Sequence, residues 1–322
     1  MARKSRKAWT PLNTDVALDP SFVALGASWR RSLLAENMSP LTLRIYLEAH
    51  QRLGLFLAHN GLPQDVRQLR REHIESWLIQ MFADGYAASS VSVFYRGVQR
   101  WFSWLEEEEE IAAAPTRKMR PPIVPEEYQP VLADDQVTAL LDACRGKSFA
   151  DVRDLAMLMV LFDTGMRRSE LAGITCEHLN LDEQFVVVPA KGRRDREIAF
   201  GRQTARVLDK YLRVRARHPH AQNPFVFVGQ RGRFTGDGVH QMLQKRAVAA
   251  GLGDVGIHPH LFRHTYAHLF LEAGGQESDL MAQAGWRSPA MVRRYGAALR
   301  EKRARDAAKR LSPADRMAQR EK

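Results

Sequence analysis

Between His258 and Tyr295 the chain runs HPHLFRHTYAHLFLEAGGQESDLMAQAGWRSPAMVRRY. His260 and Arg263 stand three apart, so on a helix they leave the same side. Pro259 suits the first turn of that helix and Gly274 the position just past its end. Ser288 followed by Pro289 predicts a second, short helix, an N-cap with proline at the first position. Tyr295 then falls two turns into it, directly after Arg293 and Arg294, and Trp286 lies just before it. An imidazole can take a proton, a guanidinium can clamp two oxygens of an anion, and a phenol can attack once its proton is removed. Together these groups suit chemistry on a phosphodiester.

Two upstream pieces add to the set. TGMRRSEL at 164–171 supplies Arg167, Arg168 and Glu170 at the start of a helical turn, and the AKG turn at 190–192 supplies Lys191. Each residue also has a plain structural reading. Arg167 and Arg168 could be surface charges, Lys191 a solvated turn residue, Tyr295 a packing ring with a wet hydroxyl, and Trp286 part of a core. A metal site is a rival within the same stretch, because His260, His264, His268 and Glu272 recur every four residues on one helix face. No HExxH accompanies them, and no other ligand cluster is evident. The reading is therefore no metal and no cofactor.

The elements that must position these side chains fall into two domains, which 322 residues can accommodate with separate cores. Residues 1–17 are a basic arm without hydrophobic period. Four helices are expected over 18–113: from Ser21 to Glu36, from Ser39-Pro40 to before Gly61, from about Val66 to Asp84, and from Ser89 or Ser90 onward. The last carries a buried stripe of Val91, Phe94, Tyr95, Val98 and Phe102. The run Glu106–Glu110 opposes the macrodipole at that helix's end and should point to water. Residues 114–130 are proline-rich and basic (Arg117, Lys118, Arg120) and read as an extended linker. The second domain, 131–300, should hold helices from Asp134 to Cys144 and from Ala150 to Gly165, then strands at Phe185–Pro189 and Glu197–Phe200 joined through Lys191-Gly192. A helix over 202–217, a strand over 225–228 and a helix over 237–250 follow. Residues 301–322 form a C-terminal tail; from residue 300 on, nine basic and four acidic side chains suit an amphipathic helix.

The net charge of +11 favours a polyanionic partner, most simply nucleic acid. Two cysteines, Cys144 and Cys176, make no disulfide framework and fit a reducing cytoplasm. No apolar run approaches the ~20 residues of a membrane span, and the basic N-terminus lacks the apolar core of a signal peptide.

The ordered set of TGMRRSEL, the AKG turn, HxxR and the downstream tyrosine resembles the tyrosine recombinase, or phage-type integrase, family. The resemblance covers the whole second domain and, more loosely, the first, which is similar to the family's core-binding domain. It implies a mainly α fold: a four-helix, SAM-like core-binding domain, then a mixed α/β, mostly helical catalytic domain with a small antiparallel sheet. Position by position, Arg167 matches the first family arginine, Glu170 the acid three later, Lys191 the hairpin lysine, His260 and Arg263 the HxxR pair, and Tyr295 the nucleophile. Trp286 stands where most members carry a second histidine; its ring N–H can donate but cannot serve as acid or base. The resemblance further implies double-stranded DNA as partner, a 3′-phosphotyrosyl intermediate, no ATP, and a homotetramer exchanging strands through a Holliday junction. It also implies a clamp closing round the duplex, with the tail docking on a neighbouring protomer. Arg44, Arg117, Lys118, Arg120, Arg168, Arg293 and Arg294 are candidate phosphate contacts. Within the family, an N-terminal arm too short for the arm-site domain of larger phage integrases implies a simple recombinase acting on a compact core site, and Trp286 favours an integrase of a phage or mobile element over a chromosome-dimer resolvase. A DNA-binding accessory protein without catalysis, or a type IB topoisomerase, are the other readings.

Overall fold

The computed structural model of the chain describes residues 15–125, 130–189, 195–286, 288–289, 291–292, 304–305, 308–309 and 312. It divides into two compact units, Met1–Glu126 and Glu127–Lys322.

The first unit is built from α1 (Pro20–Ala35), α2 (Pro40–His59), α3 (Arg71–Ala83) and α4 (Ala88–Glu107). Local chemistry sets the starts. Asp19 Oδ1 accepts the Ser21 N–H at 2.7 Å and Ser39 Oγ that of Thr42 at 3.2 Å, each with proline next in line. The stripe Val91, Phe94, Tyr95, Val98 and Phe102 is buried along α4, as its spacing requires. α2 can lie close against α4 because residue 97 is glycine: a Cβ there would come 2.9 Å from that of Ala49. His50 sits in this core, stacked on Phe22 at 4.4 Å and edge-on to Trp101 at 4.6 Å. Burial pushes its imidazole pKa down to about 4.

Three details differ from the sequence reading. α3 starts five residues later than Val66. Asp65 caps a short 3-10 turn over Val66–Gln68, and the chain then extends at Arg70 (φ −121°, ψ 166°) before the helix begins. Glu107, Glu108 and Glu109 are exposed as expected, but three of the acids at the end of α4 also have partners. Glu106 accepts the Ala114 N–H at 3.1 Å, Glu107 lies 3.3 Å from Arg100, and Glu110 lies 3.8 Å from Arg67. Beyond α4, Ile111, Ala114, Thr116 and Met119 are buried, and Tyr95 donates its hydroxyl to the Met119 carbonyl at 3.2 Å.

The second unit opens with α5 (Asp134–Asp142), α6 (Phe149–Thr164) and α7 (Arg168–Gly173). A sheet follows of β1 (Leu179–Asn180), β2 (Phe185–Val188) and β3 (Arg196–Ala199), then α8 (Arg202–Arg215). β4 (Val228–Gly229), β5 (Gly232–Arg233), α9 (Gly236–Ala249), α10 (Pro259–Glu272) and α11 (Glu277–Ala284) complete the named elements. β1, β2 and β3 pair antiparallel in chain order, with Val186 opposite Ile198. The strand expected over 225–228 is shorter and later: Phe225 makes only an isolated bridge to Thr175, and pairing begins at Val228 against Arg233.

α6 carries Met157, Leu158, Val160 and Leu161 into the middle of this core. Polar side chains fasten other elements around it. Asp163 accepts from the Gly201 N–H at 2.6 Å and the Thr204 hydroxyl at 2.8 Å, fixing the start of α8. Arg246 on α9 reaches Asp151 at 2.9 Å and Asp154 at 2.8 Å on α6, and donates to the Ala143 carbonyl at 2.8 Å. The Leu132 N–H donates to Thr265 Oγ at 2.9 Å, attaching the beginning of this unit to α10. The helical residues described near the C-terminus are Ala304, Arg305, Ala308 and Lys309. The rest of the expected tail helix lies outside the described residues.

Candidate active site

The site is assembled where α6 ends. Gly165 closes that helix in the left-handed region (φ 57°), and a Cβ there would come 2.7 Å from Tyr266 Cδ1. Glycine is thus required both by the backbone and by the close approach of a ring. The turn frees the Gly165 carbonyl, which accepts from Arg263 Nη1 at 2.9 Å. Arg263 Nη2 donates to the Ala284 carbonyl at 2.5 Å, and the guanidinium lies 5.0 Å from the Trp286 ring centre. Arg263 is 3% exposed. A guanidinium buried this far is held in one orientation by its carbonyl acceptors and stacking partner.

Arg167, two residues past Gly165, begins α7. Its N–H donates to Glu170 Oε2 at 2.8 Å and its Nη1 to Oε1 at 2.7 Å. Its side chain is 44% exposed, so one carboxylate fixes a guanidinium that still faces solvent. Burial works to raise the Glu170 pKa. The Arg167 N–H and the charges of Arg196 and Arg167 outweigh it and hold the carboxyl below its ordinary value.

His260 follows Pro259 in the first turn of α10 and is exposed. Partial desolvation, then the charges of Arg263, Arg167 and Arg168, hold its pKa below the ordinary imidazole value. A neutral imidazole at neutral pH can accept a proton. His264, one turn on, is half-buried and pushed down to about 4, mainly by burial. The metal rival gains no support from this row. Neighbouring rings of His258, His260 and His264 are 6.5 Å apart, and His268 lies 3.9 Å from Glu272. Among the described residues no group of three or more histidine, cysteine or acidic side chains could hold one ion.

Trp286 is buried in a small cluster with Ala267, Leu271, Leu280, Ala284 and Val292, packed under Arg263. Lys191, Arg293, Arg294 and Tyr295 lie outside the described residues. Tyr266 is a phenol beside the Gly165 turn, but burial and then Asp163 push its pKa up to about 12, which disfavours the phenolate. Arg168 is exposed and pairs with Asp237 at 3.1 Å. Arg44, Arg117, Lys118 and Arg120 are exposed on the first unit, with Arg117 3.8 Å from Glu106.

Sequence reasoning missed Arg196. It opens β3, its side chain is 19% exposed, and Nη2 lies 3.1 Å from Glu170 Oε1. An arginine four residues past a Lys-Gly turn reads as a solvated hairpin charge, and nothing local marks it as inward-facing.

A model of the phage integrase family matches residues 130–302, more than half of the chain. The tyrosine recombinase XerC of Escherichia coli O157:H7 (strain EC4115 / EHEC) is 28% identical over 240 residues, covering 74% of this chain and 79% of the relative. XerC of Shigella flexneri gives the same figures. Among solved structures, the Tn1549 transposon integrase in complex with transposon right end DNA is similar at a TM-score of 0.75 and 17% identity, over 90% of this chain and 99% of that one. The XerH recombinase bound to palindromic difH substrate, in a post-cleavage complex, is similar at 0.70 and 15%, over 92% and 90%. At such identities the likeness to solved structures is one of fold: mainly helical, with the small antiparallel sheet the sequence implied.

Proposed function

The chain belongs to the phage integrase family of tyrosine recombinases, and from that premise we propose that it cuts and rejoins DNA strands at a specific site through a 3′-phosphotyrosyl intermediate. The observation that carries the reading is Arg263, a guanidinium fixed by the Gly165 and Ala284 carbonyls beside a histidine kept neutral.

In this reading the Tyr295 oxygen attacks the scissile phosphorus while His260, or a water it holds, takes the phenolic proton. A tyrosine–phosphorus bond forms, the bond to the 5′ oxygen breaks, and Lys191 protonates the departing oxygen. Negative charge concentrates on the two non-bridging oxygens, which Arg167 and Arg263 clamp. Trp286 supports Arg263 from beneath by stacking. The broken backbone's energy stays in the phosphotyrosyl bond, so a 5′ hydroxyl from a partner duplex can reverse the step without ATP. Arg44, Arg117, Lys118, Arg120, Arg168, Arg293 and Arg294 are assigned to phosphate contacts. The assembly is a homotetramer on two duplexes, acting in the cytoplasm.

The biological setting we favour is integration of a phage or other mobile element, because Trp286 replaces the usual second histidine. The second reading is chromosome-dimer resolution, and the relatives named tyrosine recombinase XerC carry the shared strand-exchange chemistry without separating the two. Among the described residues no helix is long and apolar enough to cross a membrane.

The test is a duplex selected by this protein from a randomised library, nicked near the cleavage point to trap a covalent adduct. The wild type and Tyr266→Phe should form the adduct and Tyr295→Phe should not. A wild type that binds the selected duplex without ever forming an adduct would mark a DNA-binding accessory protein instead. Mapping attachment sites on host DNA separates the two settings: junctions of an integrated element support the first, a single chromosomal site the second.

A further inference from the structure

Side chains on a strand alternate, and in β3 the inward positions are Arg196 and Ile198, with Glu197 and Ala199 exposed. Ile198 is fully buried in the unit's core. An arginine one step along the same face is an unusual choice, since a buried charge costs stability unless its partners repay it. Arg196 is incompletely repaid. Its Nε and Nη2 are buried with no hydrogen-bond partner among the described residues, and the 3.1 Å approach of Nη2 to Glu170 Oε1 is an ion pair without hydrogen-bond geometry.

What the position achieves is contact with two parts of the site at once. Glu170 Oε1 takes both the Arg196 charge and the Arg167 Nη1, while Oε2 takes the Arg167 N–H. On its other side the guanidinium fills the space where Gly285 has no side chain; a Cβ there would overlap Nη1 of Arg196. Gly285 ends α11 in the left-handed region (φ 65°), between Ala284, whose carbonyl receives Arg263, and Trp286, on which Arg263 stacks. The far end of β3 is fixed to the same helix, because the Ala199 N–H donates to Gln283 Oε1 at 3.1 Å. Arg196 thus stands between the carboxylate that aims one arginine and the turn that seats the other.

We propose that Arg196 is a positioning residue that sets the spacing between Arg167 and Arg263, through Glu170 on one side and the Gly285 turn on the other. The assignment rests on the reading of this site as the recombinase centre. Charge alone does not meet the requirement: a lysine could reach Glu170, but its narrow stem would leave the space against Gly285 unfilled.

Two measurements on the full chain decide it. The first needs no DNA: with glutamate side chains isotopically labelled, the Glu170 carboxyl titration should move upward in Arg196→Met and return toward wild type in Arg196→Lys. An unmoved midpoint in Arg196→Met overturns the proposal, whatever the protein does on DNA. The second uses the nicked, library-selected duplex. Arg196→Met should slow adduct formation on the order of 10–100-fold while duplex affinity holds, the size of loss expected from misplacing catalytic groups. Combined with Glu170→Gln the loss should fall short of the product of the two single effects, since part of what Arg196 does runs through Glu170. Additive losses, or a loss confined to DNA affinity, overturn the proposal. Where Arg196→Met fails to fold, Arg196→Lys carries the test: it should keep the Glu170 midpoint yet cleave more slowly, and wild-type cleavage overturns the idea. If wild-type protein forms no adduct, the recombinase reading falls while the titration still rules on Arg196.

Discussion

Each unit has a histidine whose imidazole pKa is lowered, and the two sit in different surroundings. In the first, His50 lies between Phe22 and Trp101 and against the backbone of Gly26. In the second, His260 stands at the mouth of a site where Arg263 stacks over Trp286. Desolvation leads in lowering both imidazole pKa values, but only His260 also feels guanidinium charge, and only His260 is open to solvent. A depressed histidine pKa therefore does not mark an active site by itself. What separates the two imidazoles is the arginine charge near His260 and its exposure to solvent.

The strongest way to break the contrast is to remove the cation. Arg263→Ala should lower single-turnover adduct formation on the order of 10²–10³-fold, the usual cost of losing one preorganised donor to a developing oxyanion. Arg263→Lys should recover little, because one ammonium cannot serve two carbonyls and a phosphate with a planar fork. An Arg263→Lys variant at wild-type rate would falsify the clamp.

The core histidine gives a different signature, in stability and not in rate. Its folded pKa is about 4 against an ordinary 6.5, so below pH 6.5 the unfolded chain binds a proton that the folded one refuses. Stability is full above that value and falls as pH drops toward 4, by about 3 kcal/mol from this group. Urea melts followed through Trp29, Trp77, Trp101 and Trp104, all buried in the first unit, should show the slope. His50→Leu should flatten it. A slope unchanged in that variant would assign it to other groups.

Gly165→Ala tests the turn under Arg263. Forcing alanine into the left-handed region costs about 1–2 kcal/mol, before the clash with Tyr266. We expect a lower melting midpoint together with slower cleavage, and a variant that loses neither would remove the turn from the argument. The smallest effect should come from Arg168→Ala. Its pair with Asp237 is exposed on both sides, so stability should change by no more than about 1 kcal/mol. A larger loss would mean that Arg168 supports the site more directly than its ion pair indicates.

Much of this was legible in the sequence because periodicity is a local property. The α4 stripe from Val91 to Phe102 and the proline-started helix α2 followed from spacing and caps alone. The HxxR spacing put His260 and Arg263 on one helix. What spacing could not say is that one would be exposed and the other sealed under Trp286, since burial depends on α11 and on the Gly165 carbonyl, more than twenty and nearly a hundred residues away. Arg196 was illegible for the same reason. Its face on β3 is set by register against β2, and its partner Glu170 lies on α7. The late start of α3 escaped because Asp65 and Val66 imitate a helix start, while the extended residue at Arg70 leaves no compositional trace.

One small hydrogen bond has a mechanical meaning. The backbone amide of Leu132 is held by Thr265, whose hydroxyl is itself tied to the Leu261 carbonyl in the helix of His260 and Arg263. The chain entering the second unit is therefore pinned, at Leu132, to the helix bearing the histidine and the sealed arginine. Hydrogen exchange at that amide should quicken in Thr265→Val, which removes the hydroxyl that holds it.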